Sequence, residues 1–359
     1  MNNNLWFFDW LTIYQEYPAG VPVFGADFRS SVCIETGELI YEMVTGKSVR
    51  GSFDSSLTIR SNGTSVSVSG NPSRWGRLDN LIGLTSLDDC VAVYNAVLVD
   101  LGLPPFTKCT KLYQRASKAD RVSTFSNGAI ITRLDVTTNH MTGSESNALD
   151  FLRSITAYSH RKDGYLYPNG RTVDFYRGST YRYLKFYDKA HDMTLHKNTK
   201  NMTEEDINYC EDLRKYLKKV GCIREEHELK SPLLKKQNLR FYGLFNENDI
   251  FSYLKESRHI MDKMSVSVCD YQRVDERLIE LGVCTPVEAS GAQSTVHAWL
   301  NGQNLFATMS KSAFYRMRKR LSYVGIDIKQ PFDVVKMKTR FKIVEVSPLA
   351  VPDWYQLAA

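Results

Sequence analysis

Cysteine is sparse and unpaired in this chain of 359 residues. The seven cysteines, Cys33, Cys90, Cys109, Cys210, Cys222, Cys269 and Cys284, contain no CxxC pair. An odd, scattered set excludes a disulfide framework and offers no zinc spacing, so buried, reduced thiols are expected. Long apolar runs are missing as well. No stretch approaches the ~18 residues a membrane helix needs, so no membrane partner is expected. The opening residues MNNNLWFFDW lack a basic segment followed by an apolar one, which argues against a signal peptide. Apart from Asn2–Asn4 there is no low-complexity tract, and no internal repeat is visible. What is present is the composition of an ordinary globular protein, 43% hydrophobic and 24% charged, at a length suited to two or three domains.

The charge excess is mild, 46 Lys plus Arg against 40 Asp plus Glu. It permits a polyanionic partner without requiring one. Its distribution says more. Basic residues crowd Lys215–Lys219, Lys230–Arg240, Arg316–Arg320 and Lys336–Lys342.

Hydrophobic periodicity divides the chain into elements. LWFFDWLTIYQEY and LTIRSNGTSVSVSG read as strands, the second folded into a hairpin at Asn62-Gly63. A helix is expected over Leu87–Leu101, capped by Ser86, acidic at Asp88 and Asp89, and stopped by Gly102, Pro104 and Pro105. GAIITRLDVTTN predicts a strand over Gly128–Asn139, and a helix follows over about Ser144–Tyr158. Pro168-Asn169-Gly170 marks a second hairpin, which leads into TYRYLKFYDK. After a loop through His191–Met202, MTEEDINYCEDLRKYLKKVG is a helix with Gly221 as its stop, and CIREEHELK is a strand. The fold class expected is α+β, with a largely antiparallel sheet that has helices on one face and an open second face. After Ser231-Pro232 the pattern turns helical, in NDIFSYLKESRHIMDKM, DYQRVDERLIELG, TVHAWLNGQNLF and SKSAFYRMRKRLSYVG. That divides the chain into 1–231 and a mainly helical 232–359.

Three strands carry unusual polar faces. Side chains alternate with a period of two. Tyr181, Tyr183, Lys185, Tyr187 and Lys189 therefore share one face of TYRYLKFYDK, while Leu184 and Phe186 share the other. In ITRLDVTTN, Arg133, Asp135 and Thr137 share a face opposite Leu134 and Val136. In CIREEHELK, Arg224, Glu226, Glu228 and Lys230 share a face, with Glu225 and His227 interrupting the apolar side. If these strands are neighbours, Asp135, Glu226, Tyr187, Lys185 and Lys189 stand together. Two carboxylates are hard oxygen ligands for Mg²⁺ or Mn²⁺. A phenol titrates near ~10, and ammonium groups with a metal favour the phenolate. Roughly 2.7 kcal/mol of such preference is within reach of charges ~4–6 Å away. A tyrosine between lysines then suits attack on a phosphodiester.

The chain resembles the replication initiation proteins of filamentous phages and related plasmids, the plus-strand nicking endonucleases of rolling-circle replication. The resemblance rests on GNPSRWGRLDNLIG at 70–83, ITRLDVTTN at 131–139, LKFYDKAHD at 184–192, IREEHELKSPLLKK at 223–236 and PDWY at 352–355. It covers most of the chain and implies a catalytic domain in 1–231 of the type seen in His-hydrophobe-His nucleases. The YxK element falls on Tyr187, the nucleophile, and Lys189. The RxDxT and RxE elements fall on Arg133, Asp135, Thr137, Arg224 and Glu226. Asp135 and Glu226 are read as metal ligands, Arg133 and Arg224 as contacts to DNA, and Lys185 as a second cation at the nucleophile. The wider class often carries a His-hydrophobe-His metal motif, which this chain lacks. Leu78-Asp79-Asn80 stands where relatives have Gly-His-Asn, so Asp79 is a reserve ligand.

The implied reaction is a metal-dependent nick in a duplex origin, with a 5′-phosphotyrosyl link, a free 3′-OH primer and later rejoining of the displaced strand. Its implied partners are origin duplex, single-stranded DNA, and host helicase and polymerase, in the host bacterial cytoplasm. The C-terminal segments Val296–Phe306 and Ser310–Val324 fit a helix-turn-helix in which Lys311, Arg316, Arg318, Lys319 and Arg320 face DNA. A different class, a sequence-specific DNA-binding regulator without chemistry, accounts for the same basic helices and would use the tyrosine face to stack bases. A tyrosine recombinase would need an Arg-His-Arg set that is not found around Tyr187.

Overall fold

The structure is a computed structural model, and it describes residues 6–25, 27–116, 122–156, 164–195, 202–251, 254, 273–329, 344 and 346–356. The expected helix over Asn248–Met264, the expected strand Phe341–Val346 and the basic run Lys336–Lys342 lie wholly or mostly outside these residues.

The strands that pattern most clearly in the sequence form one large sheet. In chain order they are β1 (Phe7–Glu16), β2 (Val23–Phe24), β5 (Lys47–Arg50), β6 (Ser56–Asn62), β7 (Ser65–Gly70), β10 (Ile130–Met141), β11 (Tyr165–Leu166), β12 (Thr172–Phe175), β13 (Arg182–Asp188), β14 (Cys222–Lys230) and β15 (Ser347–Pro348). Two separate hairpins, β3 (Asp27–Val32) with β4 (Leu39–Thr45) and β8 (Leu112–Ala116) with β9 (Val122–Ser126), complete the strands among the described residues. The main sheet runs β11-β12-β13-β14-β10-β1-β7-β6-β2, with β15 beside β10 and β5 beside β6. Every described pairing is antiparallel. The α+β class with a largely antiparallel sheet is therefore present.

Alternation drives the layering. Leu11, Ile13, Leu57, Ile59, Val68, Leu134 and Val136 are fully or almost fully buried on one face, beneath α1 (Leu87–Asp100). Leu184, Phe186 and Ile223 continue that face under α2 (Glu145–Ile155). Each such side chain contributes about 1.5–3 kcal/mol on burial. Ser86 caps α1 by accepting from the backbone N–H groups of Asp88 and Asp89, as its sequence predicts.

The opposite face is less open than expected. The helix α4 (Glu204–Val220), capped by Thr203 and ended by Gly221 at φ 62°, lays Leu213 and Leu217 over Cys222 on that face. A short helix, α3 (Lys189–Leu195), begins where a continuing strand and loop were expected. Asp188 accepts from the backbone N–H of His191 at 3.1 Å, which ends β13 and starts a helix.

The expected boundary at 231 falls inside a continuous core. β14 runs directly into α5 (Ser231–Lys236), and Leu233, Leu234, Leu239, Tyr242, Ile250 and Leu254 pack with the β1 and β10 side chains. The chain end also returns to the sheet. β15 pairs with β10, and Tyr355 packs against Leu81 and α4. Between these, among the described residues, lie four helices, Val274–Glu280, Pro286–Leu300, Leu305–Thr308 and Lys311–Ser322, around a core of their own that includes Val296, Trp299, Phe314 and Leu321.

Candidate active site

β13, β14 and β10 are direct neighbours, and their register brings the polar faces together. Tyr187 pairs with Arg224, and Arg224 with Asn139. Lys185 pairs with Glu226, and Glu226 with Thr137. Tyr183 pairs with Glu228, and Glu228 with Asp135. Paired residues point to the same face. That face opens into a cavity of about 710 Å³ walled by Asp9, Asn80, Lys185, Tyr187, Lys189 and Asp192.

Tyr187 is 7% exposed, and its hydroxyl donates to Glu226 Oε2 at 3.2 Å. Lys185 Nζ lies 4.5 Å and Lys189 Nζ 5.9 Å from the centre of its ring. The expected lowering of the phenol pKa is not what this site shows. Burial pushes it well above the ordinary value. The charge of Glu226 adds to the rise, Arg224 opposes it, and Asp192 and Asp9 add to it. The shift favours the neutral phenol, which donates to Glu226. Burial also raises Glu226, helped by the like charge of Asp9 and opposed by Lys185 and Arg224.

Lys189 reaches the site from the first turn of α3. Its ammonium donates to Asn80 Oδ1 at 3.1 Å and to Asp192 Oδ2 at 2.8 Å. Asn80 also donates to Asp9 Oδ1 at 2.8 Å, so one amide bridges Asp9 and Lys189. Asp9 was not visible as a site residue in the sequence. The register of β1 against β10 slips between Phe8 and Trp10, leaving Asp9 as the extra residue. Such a bulge re-aims a side chain and breaks the period-two pattern that would have placed it.

Several expected roles change when burial is seen. Arg224 is fully buried, which removes it as a contact to DNA. Its guanidinium instead donates to Asn139 Oδ1 and to the backbone oxygens of Asn80 and Leu81, fixing the loop that carries Asn80. Asp79 sits in the same loop, with its oxygens already engaged. Oδ1 accepts from Tyr355 at 2.8 Å and from the Leu81 backbone at 2.8 Å, and Oδ2 accepts from Tyr209 at 3.1 Å. Asp135 is 2% exposed, and both its oxygens accept from Arg133, at 2.9 and 2.6 Å. Burial pulls the Asp135 carboxyl pKa upward, against the Arg133 hydrogen bonds and charge. Arg133 also lies 5.1 Å from the Trp10 ring centre. It is thus a partner of Asp135 and Trp10 before it is a contact to anything else.

Thr137, opposite Glu226, keeps a buried hydroxyl without a hydrogen-bond partner among the described residues. Among those residues, no group of three or more His, Cys, Asp or Glu side chains is arranged to hold a metal ion. On the reverse face of β14, the residues that interrupted its apolar pattern satisfy one another. Glu225 accepts from His140 at 2.8 Å and from His227 at 2.6 Å. Burial pushes this carboxyl up, but the two histidine hydrogen bonds outweigh it and hold the pKa at about 2.

In the helix Lys311–Ser322, Lys311, Arg316 and Lys319 are exposed. Arg318 forms a two-pronged pair with Asp327 at 2.7 and 3.1 Å, and Arg320 pairs with Glu288 at 2.6 Å. The five basic residues therefore divide into three that face outward and two that hold the helical core.

Comparison with known proteins gives matches over most of the chain. The family described as the N-terminal part of a phage replication-associated protein matches residues 28–248, and the family described as the C-terminal part of the same protein matches 288–358. The chain is 33% identical over 315 residues to the replication-associated protein of Escherichia phage If1, covering 84% of this chain and 96% of that protein. It is 23% identical over 337 residues to the replication-associated protein of Enterobacteria phage I2-2, covering 89% and 88% respectively. Among solved structures, a rolling circle replication initiator protein from Geobacillus stearothermophilus aligns at 11% identity with a TM-score of 0.25, over 66% of this chain and 78% of that one. That likeness is too loose to argue from.

Proposed function

The chain belongs to the family of phage replication-associated proteins, and from that premise we propose that it starts rolling-circle replication by nicking one strand of its origin with Tyr187. The observation that carries the proposal is the phenol of Tyr187 on a cavity wall, hydrogen-bonded to Glu226 and overlaid by two lysines. A neutral phenol is a weak nucleophile. A carboxylate at 3.2 Å with a raised pKa is a fitting general base for it.

In the reaction, Tyr187 Oη attacks the scissile phosphorus while its proton passes to Glu226 Oε2. The new bond joins Oη to phosphorus, the bond from phosphorus to the 3′ oxygen breaks, and that oxygen takes up a proton to become the 3′-OH primer. The strand remains attached through a 5′-phosphotyrosyl link. Attack of a later 3′-OH on that link reverses the chemistry and rejoins the displaced strand without ATP. Lys185 and Lys189 place positive charge where the phosphate gains negative charge. Asn80 holds Lys189 in place, and Arg224 holds Asn80.

The site also fits a divalent cation. Mg²⁺ is commonly bound by one or two carboxylates together with waters and substrate phosphates. Glu226 and Asp9 supply two hard oxygen donors, and the like charge of Asp9 helps to raise Glu226, a repulsion that a cation relieves. Asp9 Oδ1 accepts from Asn71 and Asn80, and its Oδ2 lies 3.6 Å from Arg224. Neither oxygen is locked in a two-pronged pair as Asp135 is by Arg133. Oδ2 accepts no hydrogen bond among the described residues, whereas both oxygens of Asp79 accept one, so we assign Asp9 with Glu226. Held by these two carboxylates, Mg²⁺ or Mn²⁺ would supply positive charge to the reacting phosphate.

The exposed Lys311, Arg316 and Lys319 are assigned to origin duplex, and host helicase and polymerase are the partners that the primer and displaced strand require. The site of action is accordingly the host cytoplasm. A nicking assay on supercoiled origin DNA with Mg²⁺ or Mn²⁺ tests the reading. Tyr187→Phe should abolish conversion to open circles while leaving DNA binding within about two-fold of the parent. A Tyr187→Phe protein that still nicks overturns the proposal, and a parent that binds but never nicks favours the non-catalytic regulator.

A further inference from the structure

The edge of the main sheet carries tyrosines that the nicking chemistry leaves unused. Tyr165 on β11 pairs with Asp174 on β12, and Asp174 pairs with Lys185 on β13. Tyr165 therefore stands on the same face as Lys185 and Glu226. It lies two strands further out, about 10 Å away at ~4.8 Å per strand. Tyr183 is on that face by alternation from Lys185 and Tyr187.

We propose that Tyr165, Tyr167 and Tyr183, with Arg177, form a base-stacking platform that takes single-stranded DNA toward Tyr187. The proposal rests on the nicking reading. Tyr165 is 42% exposed at the edge strand. Its ring meets Tyr167 edge to face at 5.2 Å. The Arg177 guanidinium lies 4.2 Å from the Tyr165 centroid and 5.8 Å from that of Tyr167. An arginine plane on tyrosine faces is the pairing that binds unstacked bases and the phosphates beside them.

The rings are also held still. Asp174 is 1% exposed, and its carboxylate accepts the Tyr167 hydroxyl at 2.7 Å. Tyr183 lies beside the same carboxylate and the Tyr167 hydroxyl, and Asp174 Oδ1 keeps no hydrogen-bond partner among the described residues. A phenol tied to a buried acid costs a strand little ordering when it docks, because that part of the surface is already organised. Asp174 is buried, whereas Arg177 is exposed and Lys185 half-buried, so these two set the sign that an approaching backbone meets. Paired bases hide their faces within the duplex, whereas a single strand offers them, so single-stranded DNA is the occupant that this surface fits.

The test uses full-length Tyr187→Phe protein, which blocks covalent capture, and a fluorescein-labelled oligodeoxythymidylate of about 16 nucleotides, near the upper site size for such surfaces. Fluorescence anisotropy should show Tyr165→Ala combined with Arg177→Ala binding about ten-fold more weakly, ~1.4 kcal/mol. Tyr165→Trp should hold or raise affinity, which separates stacking from folding. Binding to a duplex of the same length should stay within about two-fold. Unchanged single-strand affinity in the double variant, or an equal loss on duplex, overturns the platform while the parent still nicks. A parent that neither binds the oligonucleotide nor nicks origin DNA overturns the nicking reading, and the platform with it.

Discussion

Removing one hydroxyl near the chain end should slow chemistry at a site it does not touch. Tyr355 donates to Asp79 Oδ1 at 2.8 Å and accepts from the Ile82 backbone at 3.0 Å and from Arg77 Nη2 at 3.3 Å. These bonds pin the loop that carries Asn80, the bridge between Asp9 and Lys189. Tyr355→Phe keeps the ring that packs with Leu81 and Leu217 and removes only the bonds. A net hydrogen bond contributes about 0.5–1.5 kcal/mol, and a buried donor left unsatisfied costs about 1–3 kcal/mol. A total near 2–3 kcal/mol is the working magnitude. Arg224, Asn139 and Tyr209 still hold the loop, so part of this is absorbed. If about 1.4 kcal/mol reaches the position of Lys189, the single-turnover nicking rate falls about ten-fold. The dissociation constant for an origin oligonucleotide should stay within about two-fold, and Tm should fall by only a few degrees. Truncation after Ala350 should cost more on both counts. A Tyr355→Phe protein with the parent's rate refutes the link from tail to site. So does one that loses DNA affinity at an unchanged rate.

Three further outcomes are expected. With Glu226 as the base, the nicking rate should climb with pH as its carboxyl loses its proton and then level, because a protonated Glu226 cannot accept from Tyr187. Glu226→Gln should be much slower and keep climbing with pH as free phenolate forms, and a parent profile that is flat from about pH 5 to 9 counts against this assignment. Glu225→Gln should destabilise the protein by about 3–5 kcal/mol at neutral pH, as expected for a broken buried pair. Because the folded pKa of Glu225 is depressed to about 2, its stabilisation is present above the unfolded carboxyl value of ~4.3 and is lost as pH falls toward 2. Thermal melts of parent and variant should therefore converge at acid pH, and a gap that persists there rejects the charge argument. Replacing Lys311, Arg316 and Lys319 with Ala should weaken duplex binding and flatten its salt dependence by about 0.9 per lost phosphate contact. Arg318→Ala should instead lower Tm, since Arg318 is committed to Asp327, and an unchanged Tm there would falsify that division.

Much of the fold was legible because period-two and 3.6-residue patterns were clean. The Ser86 cap, the Asn62-Gly63 turn and the Gly221 stop each fall where local chemistry demands them. The polar faces that carry Tyr187 and Lys185, Glu226, and Asp135 followed from alternation within each strand, and the pairing of β13, β14 and β10 joins them. What alternation cannot show is where it breaks. Asp9 enters the site through a bulge set by pairing with β10, and Lys189 sits on a helix because Asp188 caps it. Burial was equally invisible. Arg224 looks like a contact to DNA in the string IREEHELK and becomes an internal brace once α4 and the 79–82 loop close over it. The tail's return to β10 is a long-range contact that no local pattern encodes.

The most direct measurement is mass spectrometry of the covalent product formed with a single-stranded origin oligonucleotide. After proteolysis, the peptide containing residues 182–188 should carry the 5′-phosphorylated fragment on Tyr187. Attachment at another residue, or a nicked product with no attached protein, contradicts the account.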